Sequence, residues 1–268
     1  MPSARTFRIA GAFVLAGVFF VVTACASLLA ASPRQMPTPA ASVPPTGISA
    51  PLFQSVKLQS SPLEEQGQAS AYKITAEVPV LVGKQDARIN AFNALMLATV
   101  RSAADNFKQQ VANLPAAPDA QTSTFDLRYN LVSPPGNILS LKFDIQTFLS
   151  GAAHPGTISR TVSFDLQEGR QLSLADLFAS DVDFLTPISE YCIAELGNRD
   201  IGFEGFELGA TADPGNYRNW NITSDGLMIT FDEYQVAPYA AGPQTVVIPF
   251  RDLAQLIRPD GALAPYVQ

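Results

Sequence analysis

Apolar residues at Ile89, Phe92, Met96, Val100, Ala103, Phe107, Val111 and Leu114 recur at three- and four-residue spacing, which predicts one long amphipathic helix over 86–114. Pro115 stands where that helix must stop. On either side the period is closer to two. The segment 71–82, rich in β-branched residues, predicts a strand, and Pro79 within it predicts an edge position or a bulge. Further strands are predicted over 125–132 and 138–148, joined by a turn from Ser133 to Asn137, and over 157–166, where Val162, Phe164 and Leu166 alternate.

After Gly169 the elements shorten. Residues 172–178 predict a short helix, and 182–196 a longer one with Leu185, Ile188, Cys192 and Leu196 on one face. Pro187 falls near its start, and Gly197 and Asn198 end it. A loop rich in glycine and acids covers 198–217. Strands over 220–222, 227–231 and 245–250 and a helix over 251–257 complete the pattern. Strands group in antiparallel fashion between helices, with no regular βαβ alternation. The class is therefore α+β: a mostly antiparallel sheet packed against one long and one or two shorter helices. A boundary near 160 gives two intimately associated halves, 52–160 and 161–268, which are expected to share a sheet or a core.

The N-terminus follows a different rule. Arg5 and Arg8 precede an uncharged run from Ile9 to Pro33, the pattern of an export signal. Val22, Thr23, Ala24 and Cys25 at its end resemble a bacterial lipobox, which makes 1–24 a signal peptide and Cys25 the lipidated first residue. Two other readings stay open: an uncleaved membrane helix over 9–31, long enough to span a bilayer, or cleavage after Ala30 or Ala31 with release. The first two place the folded part on the extracytoplasmic face of the cell membrane. Residues 25–51, rich in Pro, Ala and Ser, build no core and read as a stalk, with order beginning near Leu52.

Composition narrows the chemistry. The 268 residues carry 17 basic and 24 acidic side chains, a net charge of -7, which excludes a nucleic-acid partner. Lipidation would remove two of those basic residues and no acid. One histidine, His154, and two cysteines, Cys25 and Cys192, exclude a Cys/His zinc site, so no metal and no cofactor are expected. Cys192 alone remains after processing, which leaves no intrachain disulfide and predicts a buried, inert thiol. The acids Asp181, Asp183, Glu204 and Glu207 lack the spacing of a calcium loop and read as solvated surface.

Three segments carry a resemblance: Ser150–Gly156 with its histidine, Phe164–Phe178, and Ile229–Pro243 followed by Val246–Phe250. In combination, and with Asn90–Asn93 on the long helix, they resemble the RsiV-like family of bacterial envelope proteins. That family includes a lysozyme-sensing anti-sigma factor ectodomain, the non-catalytic part of PdaC-type deacetylases and a mycobacterial secreted immunogenic protein. The resemblance covers roughly 70–257 and implies a two-part α+β unit in the cell envelope. It implies a protein (lysozyme-like) or peptidoglycan ligand, and no settled activity. Only Met1 to Arg8 precede the apolar run, too short a segment to hold a sigma factor. A sensor built this way is expected to signal through another protein.

The candidate site lies on two loops. Gly151–Gly156 holds His154, and Asp232–Pro243 holds Tyr234, Tyr239 and Gly242. Glycines let backbone approach a ligand, and tyrosines supply rigid contact area. Gly151, His154, Tyr234, Tyr239 and Gly242 are thus the expected ligand-binding residues, provided that both loops emerge at one end of the sheet. The bland reading makes them turn and packing residues. No Gly-x-Ser-x-Gly elbow accompanies His154, so a binding module is favoured over an envelope esterase or hydrolase using that histidine. A structural envelope-assembly role stays open. Trp220 is expected in the core.

Overall fold

The computed structural model describes residues 56–68, 71–115, 121–199 and 204–267. The predicted signal peptide, Cys25, the predicted stalk and the expected start of order at Leu52 lie outside the described residues. No described helix is long and apolar enough to cross a membrane.

Helix α1 (Ala87–Ala112) buries Ile89, Phe92, Met96, Val100, Ala104 and Phe107, the stripe that the spacing predicts. Asp86 caps it, its carboxylate accepting from the Arg88 N–H at 2.9 Å. The stripe packs on a six-stranded sheet. In sheet order this is β1 (Lys57–Gln66), β2 (Tyr72–Val82), β3 (Ser123–Leu131), β4 (Ile138–Phe148), β5 (Gly156–Asp165) and β6 (Arg170–Gln171). Every neighbour is antiparallel except β2 and β3, which α1 connects as a parallel pair. A mostly antiparallel α+β sheet is therefore present, with a single βαβ unit inside it.

β1 has no counterpart among the predicted strands. Its sequence shows no apolar alternation, and of its ten residues only Leu58 is buried. It is an edge strand, held by its ladder to β2 along its whole length. β2 is interior in the sheet order, yet Pro79 breaks nothing. The β3 ladder ends at Ala76. Beyond it the Asn93 carboxamide of α1 takes the place of a strand, accepting from Leu81 N at 2.8 Å and donating to Leu81 O at 3.0 Å. Residues two apart present their N–H groups to the same side. Pro79 therefore lacks its N–H where no strand asks for one.

The remaining elements form a second layer. α2 (Leu185–Gly197) and α3 (Phe250–Leu253) pack with a three-stranded antiparallel sheet of β7 (Trp220–Ile222), β8 (Leu227–Phe231) and β9 (Gln244–Ile248). The six-stranded sheet crosses the boundary near 160 through β5 and β6, so the halves share that sheet. The later described residues add a second sheet and a second apolar cluster that also takes in Ile138. One face of β4 and β5 carries Leu141, Phe143, Val162 and Phe164 toward α1, while the other carries Ser140, Ser159, Ser163 and Asp165 under the second layer. The joint is polar. Ser140 Oγ bonds Ser163 Oγ at 2.9 Å and accepts from Asn221 Nδ2 and Ile222 N, both at 2.9 Å. Trp220 N donates to Thr161 Oγ1 at 2.9 Å.

Candidate functional site

β5 has an open flank. β6 pairs only with Phe164 and Asp165, so at residues 157–159 no strand lies opposite β4. Two consecutive carboxylates after β8 cover it. Asp232 Oδ1 accepts from Ser159 N at 2.7 Å, and Glu233 Oε2 accepts from Thr157 N at 3.0 Å. Asp232 Oδ2 also accepts from Arg218 Nη2 at 3.1 Å and from Asn219 Nδ2 at 3.2 Å. These bonds pin the 232–243 loop to the β4–β5 hairpin, whose tip is the 151–156 loop. The two loops predicted separately thus meet.

Their rings stack. His154 and Tyr239 have ring centroids 4.0 Å apart, and Tyr239 and Tyr234 are 6.0 Å apart with an interplanar angle of 24°. Tyr239 donates its hydroxyl to Pro155 O at 3.0 Å. His154 is exposed, and Tyr234 keeps 58% of its surface open. Tyr234 sits at φ 64°, a left-handed conformation that a side chain with a Cβ adopts only at a cost. Its neighbour Gln235 explains how that is held: Gln235 Nε2 donates to Gly209 O at 2.9 Å and to Asn216 O at 3.0 Å. A Cβ on Gly209 would lie 1.8 Å from the Gln235 carbonyl oxygen, so the 206–210 turn fits only with glycine there. Leu208, the residue before it, is 79% exposed.

Gly151 and Gly242 have φ of 88° and 66°, and a Cβ on either would meet nothing within 4 Å. The turn conformation favours glycine at both.

The His154 ring is poorly set for catalysis. Its Nδ1 lies 2.9 Å from Pro155 O. A carbonyl only accepts, so Nδ1 carries the proton and Nε2 is the free nitrogen. Among the described residues no hydroxyl or carboxylate bonds this ring, as a nucleophile–base–orienter array requires. Nor do three His, Cys, Asp or Glu side chains gather as metal ligands among the described residues.

Other residues are settled by burial. Cys192 is fully buried with Ile188 and Leu196, and burial pushes its thiol up to about 12. Trp220 is 7% exposed and belongs to the second core, and Asn221 is fully buried. Two hollows of about 490 Å³ each are present, one between α1 and the β4–β5 hairpin and one between β5, β6 and the start of α2. Neither is lined by His154, Tyr234 or Tyr239. The sequence reading missed Asp232, Glu233 and Gln235 as the residues that shape the site. The only signal was an acidic pair directly following an apolar strand.

Residues 175–251 match the family model DUF3298, described as a protein of unknown function. Peptidoglycan-N-acetylmuramic acid deacetylase PdaC of Bacillus subtilis is 26% identical over 145 residues, which cover 53% of this chain and 31% of the relative. The immunogenic protein MPB64 of Mycobacterium bovis is 28% identical over 100 residues, 37% of this chain and 44% of that protein. The chain thus spans less than half the length of these curated relatives. Among solved structures, a DUF3298 family member from Bacteroides fragilis superposes with a TM-score of 0.58 at 14% identity, covering 80% of this chain and 98% of that one. One from Pseudomonas aeruginosa gives 0.51 at 14%, covering 76% and 94%. The chain resembles DUF3298 over 175–251 and has the fold of the solved members. The resemblance read from the motifs stands, with PdaC and a mycobacterial immunogenic protein among the relatives.

Proposed function

We propose that this protein is a non-catalytic, extracytoplasmic binding module that is tethered to the cell membrane by lipid on Cys25 and recognises peptidoglycan. The observation that carries this reading is the row of ring contacts His154, Tyr239 and Tyr234, in which His154 and Tyr234 are exposed and Tyr239 between them is half-buried. It is built from two loops some eighty residues apart in sequence and held rigid by Asp232, Glu233 and Gln235. A rigid aromatic edge loses little entropy on binding, and exposed rings offer faces to the C–H surfaces of sugars. PdaC, by its name, acts on N-acetylmuramic acid of peptidoglycan, and the proposal carries that ligand class, without the reaction, to this chain. A hydrolytic role gains no support from a histidine with neither nucleophile nor orienting acid on its ring.

The test is co-sedimentation of the detergent-purified full chain with insoluble peptidoglycan. Wild type should sediment, and the His154→Ala/Tyr239→Ala pair should not, at unchanged melting temperature. Equal sedimentation of both would overturn the site, and none by wild type would overturn the ligand. Capture of lysozyme with no sedimentation would move the ligand class to a protein. Mass spectrometry tests the anchor: an intact Met1, or an unmodified start beyond Cys25, refutes lipidation.

A further inference from the structure

One row of β5 breaks its own rule. Ile158, Arg160, Val162 and Phe164 share the face turned toward α1, since adjacent strands pair Ile145 with Ile158 and Phe143 with Arg160. Val162, Phe164, Phe143 and Ile145 are buried there, yet Arg160 stands in the same row. Among the described residues every arginine except Arg101 and Arg160 forms an ion pair with a carboxylate. Arg160 lines the groove of about 490 Å³ between α1 and the β4–β5 hairpin, and it is the single charged side chain in that lining. Phe125, Ile145 and Ile158 supply an apolar floor, with Ile158 left 42% exposed, while Ser102 and Asn106 of α1 supply neutral polar groups opposite.

We propose that this groove binds a small organic carboxylate that carries methyl, amide and hydroxyl groups, the chemistry of an N-acetylated acidic sugar. The inference rests on the glycan-binding reading above and adds to it a site for sugar acids whose carboxyl is free and not amide-linked, on the same β4–β5 hairpin that bears His154. A guanidinium takes a carboxylate through two parallel hydrogen bonds. The net charge of -7 repels anions at long range, so selection here depends on that local contact and on the apolar floor beneath it. Ser102 and Asn106, both exposed, offer hydrogen-bonding groups opposite that floor, which a ligand with polar groups along its length can use.

The experiment is ligand-observed NMR on the full chain in detergent with N-acetylmuramic acid, N-acetylglucosamine and octanoate. N-acetylmuramic acid should bind, and Arg160→Gln should weaken it by about tenfold or more, the usual scale of a charged hydrogen bond. Arg101→Gln should leave it unchanged, and N-acetylglucosamine, which lacks the carboxylate, should bind as weakly as the sugar acid does to Arg160→Gln. Ser102→Phe, which fills the groove from an exposed helix position, should abolish binding independently. Equal binding to wild type and Arg160→Gln, or octanoate binding as tightly as the sugar acid, overturns the proposal. If wild type sediments with peptidoglycan but binds no N-acetylmuramic acid, the groove assignment fails and the loop-site reading survives.

Discussion

Replacing Asp232 by Ala should cost far more stability than its single visible ion pair suggests. The carboxylate is nearly buried, and its partners differ in kind. The Arg218 side chain is 57% exposed, so water replaces that contact and its share is about 0–1 kcal/mol. Ser159 N and Asn219 Nδ2 belong to residues that are fully or nearly buried and would lose their acceptor. Each of the two orphaned buried donors costs about 1–3 kcal/mol, which with the Arg218 contact places the total for Asp232→Ala at about 2–7 kcal/mol. Set against a folding stability of about 5–15 kcal/mol, that is a large fraction. At about 2–4 °C per kcal/mol the melting temperature should fall by roughly 4–28 °C. Urea unfolding read by far-ultraviolet circular dichroism and by fluorescence provides the assay. The single tryptophan, Trp220, adjoins Asn219 and is bonded to β5, so it reports on the joint between the layers. Arg218→Ala serves as the internal comparison and should cost under about 1 kcal/mol. A loss below about 1 kcal/mol for Asp232→Ala, or equal losses for both variants, would refute the reasoning.

Cys192 should resist maleimide at neutral pH in the native protein and react at once in denaturant, because burial holds its thiol at about 12; rapid native labelling contradicts this. The Asp86 carboxyl is pulled from 3.8 down to about 2, first by its hydrogen bond to the Arg88 side chain. A depressed carboxylate stabilises the fold above its unfolded value and ceases to do so as pH falls through its folded value. The start of α1 should therefore hold at pH 4 and above and loosen toward roughly pH 2, with Asp86 titrating by NMR below 3.8. Tyr234→Gly removes the left-handed strain, worth about 1–2 kcal/mol, but adds unfolded-state entropy of about 0.4–1 kcal/mol. Its melting temperature should hold or rise slightly while sedimentation with peptidoglycan weakens; a marked fall in stability would mean that the ring serves packing.

Where a row of side chains faces a single environment, the sequence declares it. The α1 stripe, the run from Ile138 to Phe148, and the helical face of Ile188, Cys192 and Leu196 were legible because burial demands apolar atoms at helix or strand period. β1 was illegible because an edge strand gains its stability from main-chain bonds to β2, and main-chain bonds leave no signature in side chains. Pro79 predicted an edge position or a bulge, whereas β2 is interior in the sheet order. It lacks a strand partner on one side only past Ala76, where the Asn93 carboxamide of another element bonds Leu81.

The site divides along the same line. Composition and local chemistry sufficed to single out the two loops, since an isolated histidine, tyrosines and turn glycines are visible one residue at a time. That the loops meet was decided by the fold, through Asp232 and Glu233 binding two N–H groups that the β4 ladder leaves free. The polar row Ser159, Thr161, Ser163 and Asp165 lies under the second layer, where Thr161 Oγ1 accepts from Trp220 N and Asp232 accepts from Ser159 N. Asn221 bonds Ser140, the cross-strand partner of Ser163. Period-two patterning tells a polar face from an apolar one, but it cannot tell water from a partner that supplies the same hydrogen bonds. Only the assembled layers make that distinction, because the partner comes from sixty to eighty residues farther along the chain.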